Sequence, residues 1–193
     1  MEAVAPTPAA RRTPILPSGV VAMLIFVVTE LMFFAAFISA HTIVKAGALP
    51  GMWPPPGQPR LPAPQTMFNT IALLLSGLSL VIAHRRSRGG IERIRVPLWG
   101  AILLGLTFVS LQGVEWVALL NEGLTLTSSS HGSFFYVVVG LHGLHAVIAI
   151  GLLAHMAVLL ETRRLTMPRF WAIEVFWYFV VLVWPFIYSR VYF

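Results

Sequence analysis

Three glutamates stand inside long apolar stretches: Glu30 in "FVVTELMFF", Glu115 in "LQGVEW" and Glu174 in "WAIEVFW". An ionised side chain at the centre of a bilayer costs roughly 2.5 to 3.5 kcal/mol on insertion scales, so each acid requires a partner or a proton. Candidate partners are close at hand. "GLHGLHAV" places His142 and His145 at i, i+3, and "LQGVEW" places Gln112 and Glu115 at the same spacing, so each pair projects from nearly one side of a helix. A Gln and Glu pair facing a His pair would let carboxylates and imidazoles share protons in a low dielectric.

Three chemistries compete for this set. Metal ligation by His142 and His145 is disfavoured, because a site ordinarily takes three or four protein ligands and the chain has no cysteine to supply a thiolate. Axial haem ligation requires a second imidazole at matching depth, and of His41, His84, His131 and His155 three fall near span ends or in loops. A hydrogen-bonded cluster that fixes helix packing needs neither, and is the favoured reading. In "FNTIALLLSGLSLVIAH", Ser76, Gly77 and Ser79 form a small-residue patch for close helix approach, and Asn69 with Thr70 are expected to cap the start of that helix. In the aromatic closing segment, Trp171, Trp177, Tyr178 and Trp184 are expected to contact lipid or another subunit, with Pro185 kinking or ending the helix and Glu174 able to snorkel.

The elements that position these residues follow from composition. Of 193 residues, 58% are hydrophobic and 10% charged, with a mean hydropathy of +0.83, against roughly 25% charged in soluble domains. The spacing predicts an all-α, polytopic membrane bundle of five helices, approximately Ser18–Val44, Thr66–His84, Val96–Leu120, Gly132–Leu160 and Arg169–Val191. Residues 1–17 read as a disordered cytoplasmic tail and 18–193 as one transmembrane domain. The loop "KAGALPGMWPPPGQPRLPAPQ" cannot continue a helix, and its Trp53 suits a membrane interface. Arg11, Arg12, Arg85, Arg86, Arg88, Arg93, Arg95, Arg163, Arg164 and Arg169 share one side; Lys45, Arg60 and Arg190 take the other. The positive-inside rule puts the N-terminus in the cytoplasm and the C-terminus in the periplasm. The excess of 13 Lys and Arg over 7 acids is thereby a topology signal, and no nucleic-acid partner is expected.

Four segments, in order, resemble subunit III of the haem-copper terminal oxidases. They are "TELMFF", with "MWPPPG" in the loop after it, then "NTIALLLSGLS", "LQGVEW" and "FFYVVVGLHGLH". The resemblance implies the five-span bacterial form of a subunit that carries no redox centre of its own. Such a subunit packs against subunit I, which holds the haems and copper, beside subunit II and smaller subunits. It holds structural phospholipid and supports proton uptake in an inner-membrane complex that receives electrons from cytochrome c. Glu30 matches the family's buried carboxylate. The last span departs: "WYFVVLVW" puts Tyr178 and Val181 where the family usually has His and Asp, and Glu174 lies one turn from the usual acid position. The polar candidates for lipid or proton support are Glu30, Asn69, Ser76, Gln112, Glu115, His142, His145 and Glu174.

Other readings are a subunit of a quinol oxidase or of a nitric oxide reductase relative, an independent proton or solute transporter relaying through Glu30, Glu115 and His142, and a di-haem electron carrier. If Glu30 faces other helices, Glu30→Gln preserves assembly and Glu30→Lys disrupts it. Equal membrane assembly of the Lys variant, scored by recovery of folded protein, would place Glu30 against water or lipid.

Overall fold

The computed structural model describes residues 16–193; the expected tail, residues 1–17, lies almost wholly outside them. Five helices carry the chain: α1 (Ser18–Ala46), α2 (Ala63–Ser87), α3 (Arg95–Asn121), α4 (Ser130–Glu161) and α5 (Met167–Val191), with a 3-10 turn at Ile91–Ile94 before α3. Each is long and apolar enough to cross a membrane. They start and stop within three residues of the spans expected from hydropathy. All five are longer than expected, because a helix runs past its apolar stretch until a specific residue stops it. At α1 that happens in the Gly47-to-Pro62 connection, where Gly and Pro break the pattern.

The helices are not equivalent. In α1, 11% of the most apolar stretch is buried, against 56% in α5. The last helix is therefore the hub: it packs on α1, α4 and α2, while α2 lies chiefly along α3, and α3 along α4. Trp177 and Trp184 are fully buried in the core, and Trp171 is partly buried. This corrects the expectation that the closing aromatics face lipid or a neighbouring subunit. A helix surrounded on three sides by protein has little lipid-facing surface to give to large side chains. Neither does α5 end at Pro185; it continues to Val191. Asn69 and Thr70 are likewise inside α2, which begins at Ala63 behind Pro62, so they do not cap it.

Small residues set the helix spacing, as in other membrane bundles. Ser76 Oγ donates to Ala101 O and Ser79 Oγ to Pro97 O, both at 2.7 Å, stapling α2 to α3. Gly77 faces Val181, whose Cγ1 lies 2.8 Å from where a Cβ would stand. The Val181 departure noted in the sequence thus forms an apolar knob in the Gly77 hole. Gly105 of α3 admits the Trp177 ring in the same way, with Ile150 of α4 alongside. At the start of α4, Ser129 caps the helix by accepting from Gly132 N at 3.1 Å, and a Cβ on Gly132 would run into the Thr125 carbonyl. At the arginine-rich end, Arg95 forms a two-pronged pair with Glu161 that joins the start of α3 to the end of α4.

Gly105→Val is expected to cost about 1 to 3 kcal/mol through overpacking against Trp177. Gly113→Ala, where a Cβ meets open space, should leave stability unchanged. The midpoints of denaturation of the two variants in detergent provide the comparison.

Candidate functional site

The three intramembrane glutamates each head a polar group, at three depths. At mid-span, His145 Nδ1 lies 2.7 Å from the Leu141 carbonyl, and His145 Nε2 lies 3.2 Å from Glu30 Oε2. A carbonyl only accepts, so the Nδ1 that faces it donates, and Nε2 faces the Glu30 carboxyl group. Both side chains remain partly open, Glu30 at 20% and His145 at 12%, where the peripheral helix α1 meets α4.

Nearer the end of the bundle away from the arginines, five residues from three helices close a network. Glu115 accepts from Thr66 Oγ1 at 2.7 Å through one oxygen and from the Tyr192 hydroxyl at 2.6 Å through the other. Gln112 accepts from Asn69 Nδ2 and donates to Tyr192 Oη, both at 3.2 Å. Above it, Trp184 Nε1 donates to Thr70 Oγ1 at 2.8 Å, and Thr70 in turn donates to the Thr66 carbonyl. Each polar atom of Glu115 and Gln112 has a partner, so the carboxylate is held by aligned donors in place of water.

The third group lies at the arginine-rich end. Glu174 is buried, not snorkelling, and takes His84 Nδ1 at 2.8 Å and the Tyr178 hydroxyl at 2.6 Å. Glu174 and Tyr178 are one turn apart, so both project from one face of α5 toward the end of α2. The Tyr178 departure therefore supplies the donor that fills Glu174's second oxygen.

The sequence expectation of a Gln and Glu pair facing a His pair is overturned. Three residues of helix rotate the direction by about 60° short of a full turn, enough to send His142 and His145 to different neighbours. His145 reaches α1, while His142 packs among Phe34, Phe108 and Trp184, the last at 4.8 Å, with neither ring nitrogen hydrogen-bonded. Gln112 and Glu115 turn to α2 and α5. Ser76 serves the α2–α3 contact alone. No hydrogen bond joins Glu30, Glu115 and His142 among the described residues, and no group of three or more His, Asp or Glu there has the arrangement of a metal site. Thr66 and Tyr192 are absent from the sequence candidates, and His84 entered only as a possible haem ligand, not as the partner of Glu174. A signal existed for one of them: Trp184, Tyr188 and Tyr192 recur every four residues, an amphipathic stripe whose polar tips need buried partners.

Glu30, Asn69, Gln112, Glu115 and His145 fall on the four segments whose order carried the family resemblance, while the Glu174 group lies outside them. The family described as "Cytochrome c oxidase subunit III" matches residues 9–193, nearly the full chain. The chain belongs to that family. Among similar proteins, cytochrome c oxidase subunit 3 of Rattus norvegicus is 33% identical over 189 residues, covering 93% of this chain and 71% of the rat protein. The Oryctolagus cuniculus protein of the same name is 32% identical over the same coverage, and that of Latimeria chalumnae is 32% identical over 178 residues, 88% of this chain and 67% of its own. In this subunit III chain the glutamate of TELMFF is the one in contact with the second histidine of GLHGLH.

Replacing Glu115 by Leu is expected to destabilise the bundle by about 1 to 3 kcal/mol, because the Tyr192 hydroxyl and Thr66 lose a buried acceptor. Glu115→Gln, which keeps an acceptor oxygen, should lose less. Matching losses for the two, measured by denaturant titration in micelles, would mean that the hydrogen bonds do not hold the helices.

Proposed function

We propose that this chain is an accessory, non-redox subunit of a proton-pumping cytochrome c oxidase in a bacterial inner membrane, N-terminus cytoplasmic and C-terminus periplasmic. Its neighbours are subunit I, which holds the haems and copper, then subunit II and smaller subunits, with structural phospholipid between them. The observation that carries the reading is the family match over residues 9–193, together with the Glu30–His145 contact and the Glu115 network on the spans that carry the resemblance.

The polar groups support a supporting role and not one of turnover. Glu115 and Glu174 are held by side-chain donors from other helices or the next turn, which suits rigid helix packing. Glu30 and His145 sit at the bundle surface with exposure left over, which suits contact with a neighbouring subunit or with lipid and a share in maintaining proton uptake by subunit I. The relatives named above are cytochrome c oxidase subunits, which favours cytochrome c over quinol as the donor to the complex.

Purification in mild detergent is expected to bring down a large polytopic chain that binds haem, together with a copper-bearing subunit II. The chain isolated from those partners is expected to lack a visible haem or copper spectrum. A stoichiometric visible spectrum from the isolated chain would overturn the non-redox assignment, and proton or solute transport by the chain reconstituted alone would favour the transporter reading.

A further inference from the structure

Between α3 and α4, with the buried Trp184 of α5 behind it, lies a cavity of about 330 Å³. Three glycines make room for it. No atom comes within 4 Å of a Cβ built on Gly113, and at Gly140 and Gly143 the first atom met belongs to the Trp116 ring, at 3.7 and 3.4 Å. Phe108, Trp116 and Trp184 line the cavity together with the His142 imidazole, which lies 4.8 Å from Trp184 and 31° from parallel to it. Leu144 and Val147 also line it and are exposed on the outer side of α4, so it opens sideways toward hydrocarbon. No Lys, Arg, Asp or Glu is among the lining residues, which leaves a charged headgroup nothing to bind.

Polar atoms without partners gather at the same place. His142 is 1% exposed with neither ring nitrogen hydrogen-bonded, and Trp116 Nε1 is buried and unpartnered as well. A neutral imidazole carries one donor and one acceptor; an indole carries a donor alone. Gln112 gives one amide hydrogen to Tyr192 and keeps a second. Orphaned groups of this kind are rare in native interiors, and each carries a cost that a ligand can remove. Packing among Phe34, Phe108 and Trp184 requires only an apolar ring at position 142, so it gives the two nitrogens nothing to do.

We propose that this cavity binds the headgroup of a membrane quinone. A quinone ring is flat, which suits a slot with aromatic walls and glycines in its floor. Its carbonyl oxygens accept hydrogen bonds, which suits the donors that Trp116 and His142 supply. The volume stands at the lower end of the roughly 300 to 1,000 Å³ of small-molecule sites, so the ring is enclosed while the hydrocarbon tail leaves past Leu144 and Val147 into the bilayer. Binding alone is meant, with no electron passed to the protein. It goes beyond the oxidase reading and does not depend on it, because every residue that lines the cavity belongs to this chain.

The test takes the full chain in maltoside micelles and titrates it with decylubiquinone, read from quenching of the tryptophan fluorescence to which Trp116 and Trp184 contribute. Expected is a saturable component at one quinone per chain, above the linear quenching that partition into micelles produces. Decylbenzene, which has the ring and tail without the oxygens, is expected not to compete at equal concentration. Gly113→Leu fills the cavity from a position where a Cβ meets open space and is expected to abolish the saturable component. Gly151→Leu, equally open but outside the cavity, is expected to leave it unchanged. His142→Phe keeps a ring and removes both nitrogens, and is expected to weaken binding about tenfold, the loss of one buried hydrogen bond. Helical circular dichroism verifies that each variant is folded, and if Gly113→Leu fails that check, His142→Phe decides. Purely linear quenching, saturable binding that survives Gly113→Leu, undiminished affinity in His142→Phe, or equal competition by decylbenzene overturns the site. Because the chain is titrated apart from any partner, each of those results leaves the oxidase reading standing, while a visible haem spectrum would overturn that reading and not this site.

Discussion

The Glu115 carboxylate, gripped by Thr66 and Tyr192, is the contact on which the remainder of the bundle turns. In water an acid can be left to solvent; in hydrocarbon it must be answered by protein, and here the answer comes from two other helices at once. That requirement fixes the end of α5 against α2 and α3. Once α5 is anchored there, its tryptophans fall into the core, Trp184 over Thr70 and Trp177 into the gap left by Gly105. Apolar surface alone could not choose this arrangement, because lipid tails are as apolar as leucine and give helices no hydrophobic reason to associate. Polar satisfaction selects the neighbours, and small residues then let them close.

The same logic explains which parts were readable from the sequence. Span number and extent were legible, because twenty apolar residues in a row have few alternatives. The small-residue patch was legible too, since Ser76, Gly77 and Ser79 can do little else but permit approach. Pairings between helices were not. The i, i+3 spacing says that His142 and His145 share a side, yet the residual angle between them is enough to divide them between α1 and the aromatic core. Glutamates were found and their partners were not, because Thr66, Tyr192 and His84 are ordinary near span ends and gain meaning only from what lies opposite.

The departures in the last span illustrate the point from another direction. Val181 and Tyr178 look like losses when set against the His and Asp usual in the family. In place, one fills the hole at Gly77 and the other completes the hydrogen bonding of an acid displaced by one turn.

The shallow seating of α1 bears on how the protein is made. This helix is synthesised before its partners, yet it packs on α5 and pairs Glu30 with a histidine of α4. At about 5 to 20 residues per second, on the order of ten seconds separate translation of the acid from translation of its imidazole. Through that interval the first span resides in the bilayer or the insertion machinery with its carboxyl group unanswered. Maturation of the bundle is therefore a late capture, in which the oldest helix is the last to be claimed by the fold.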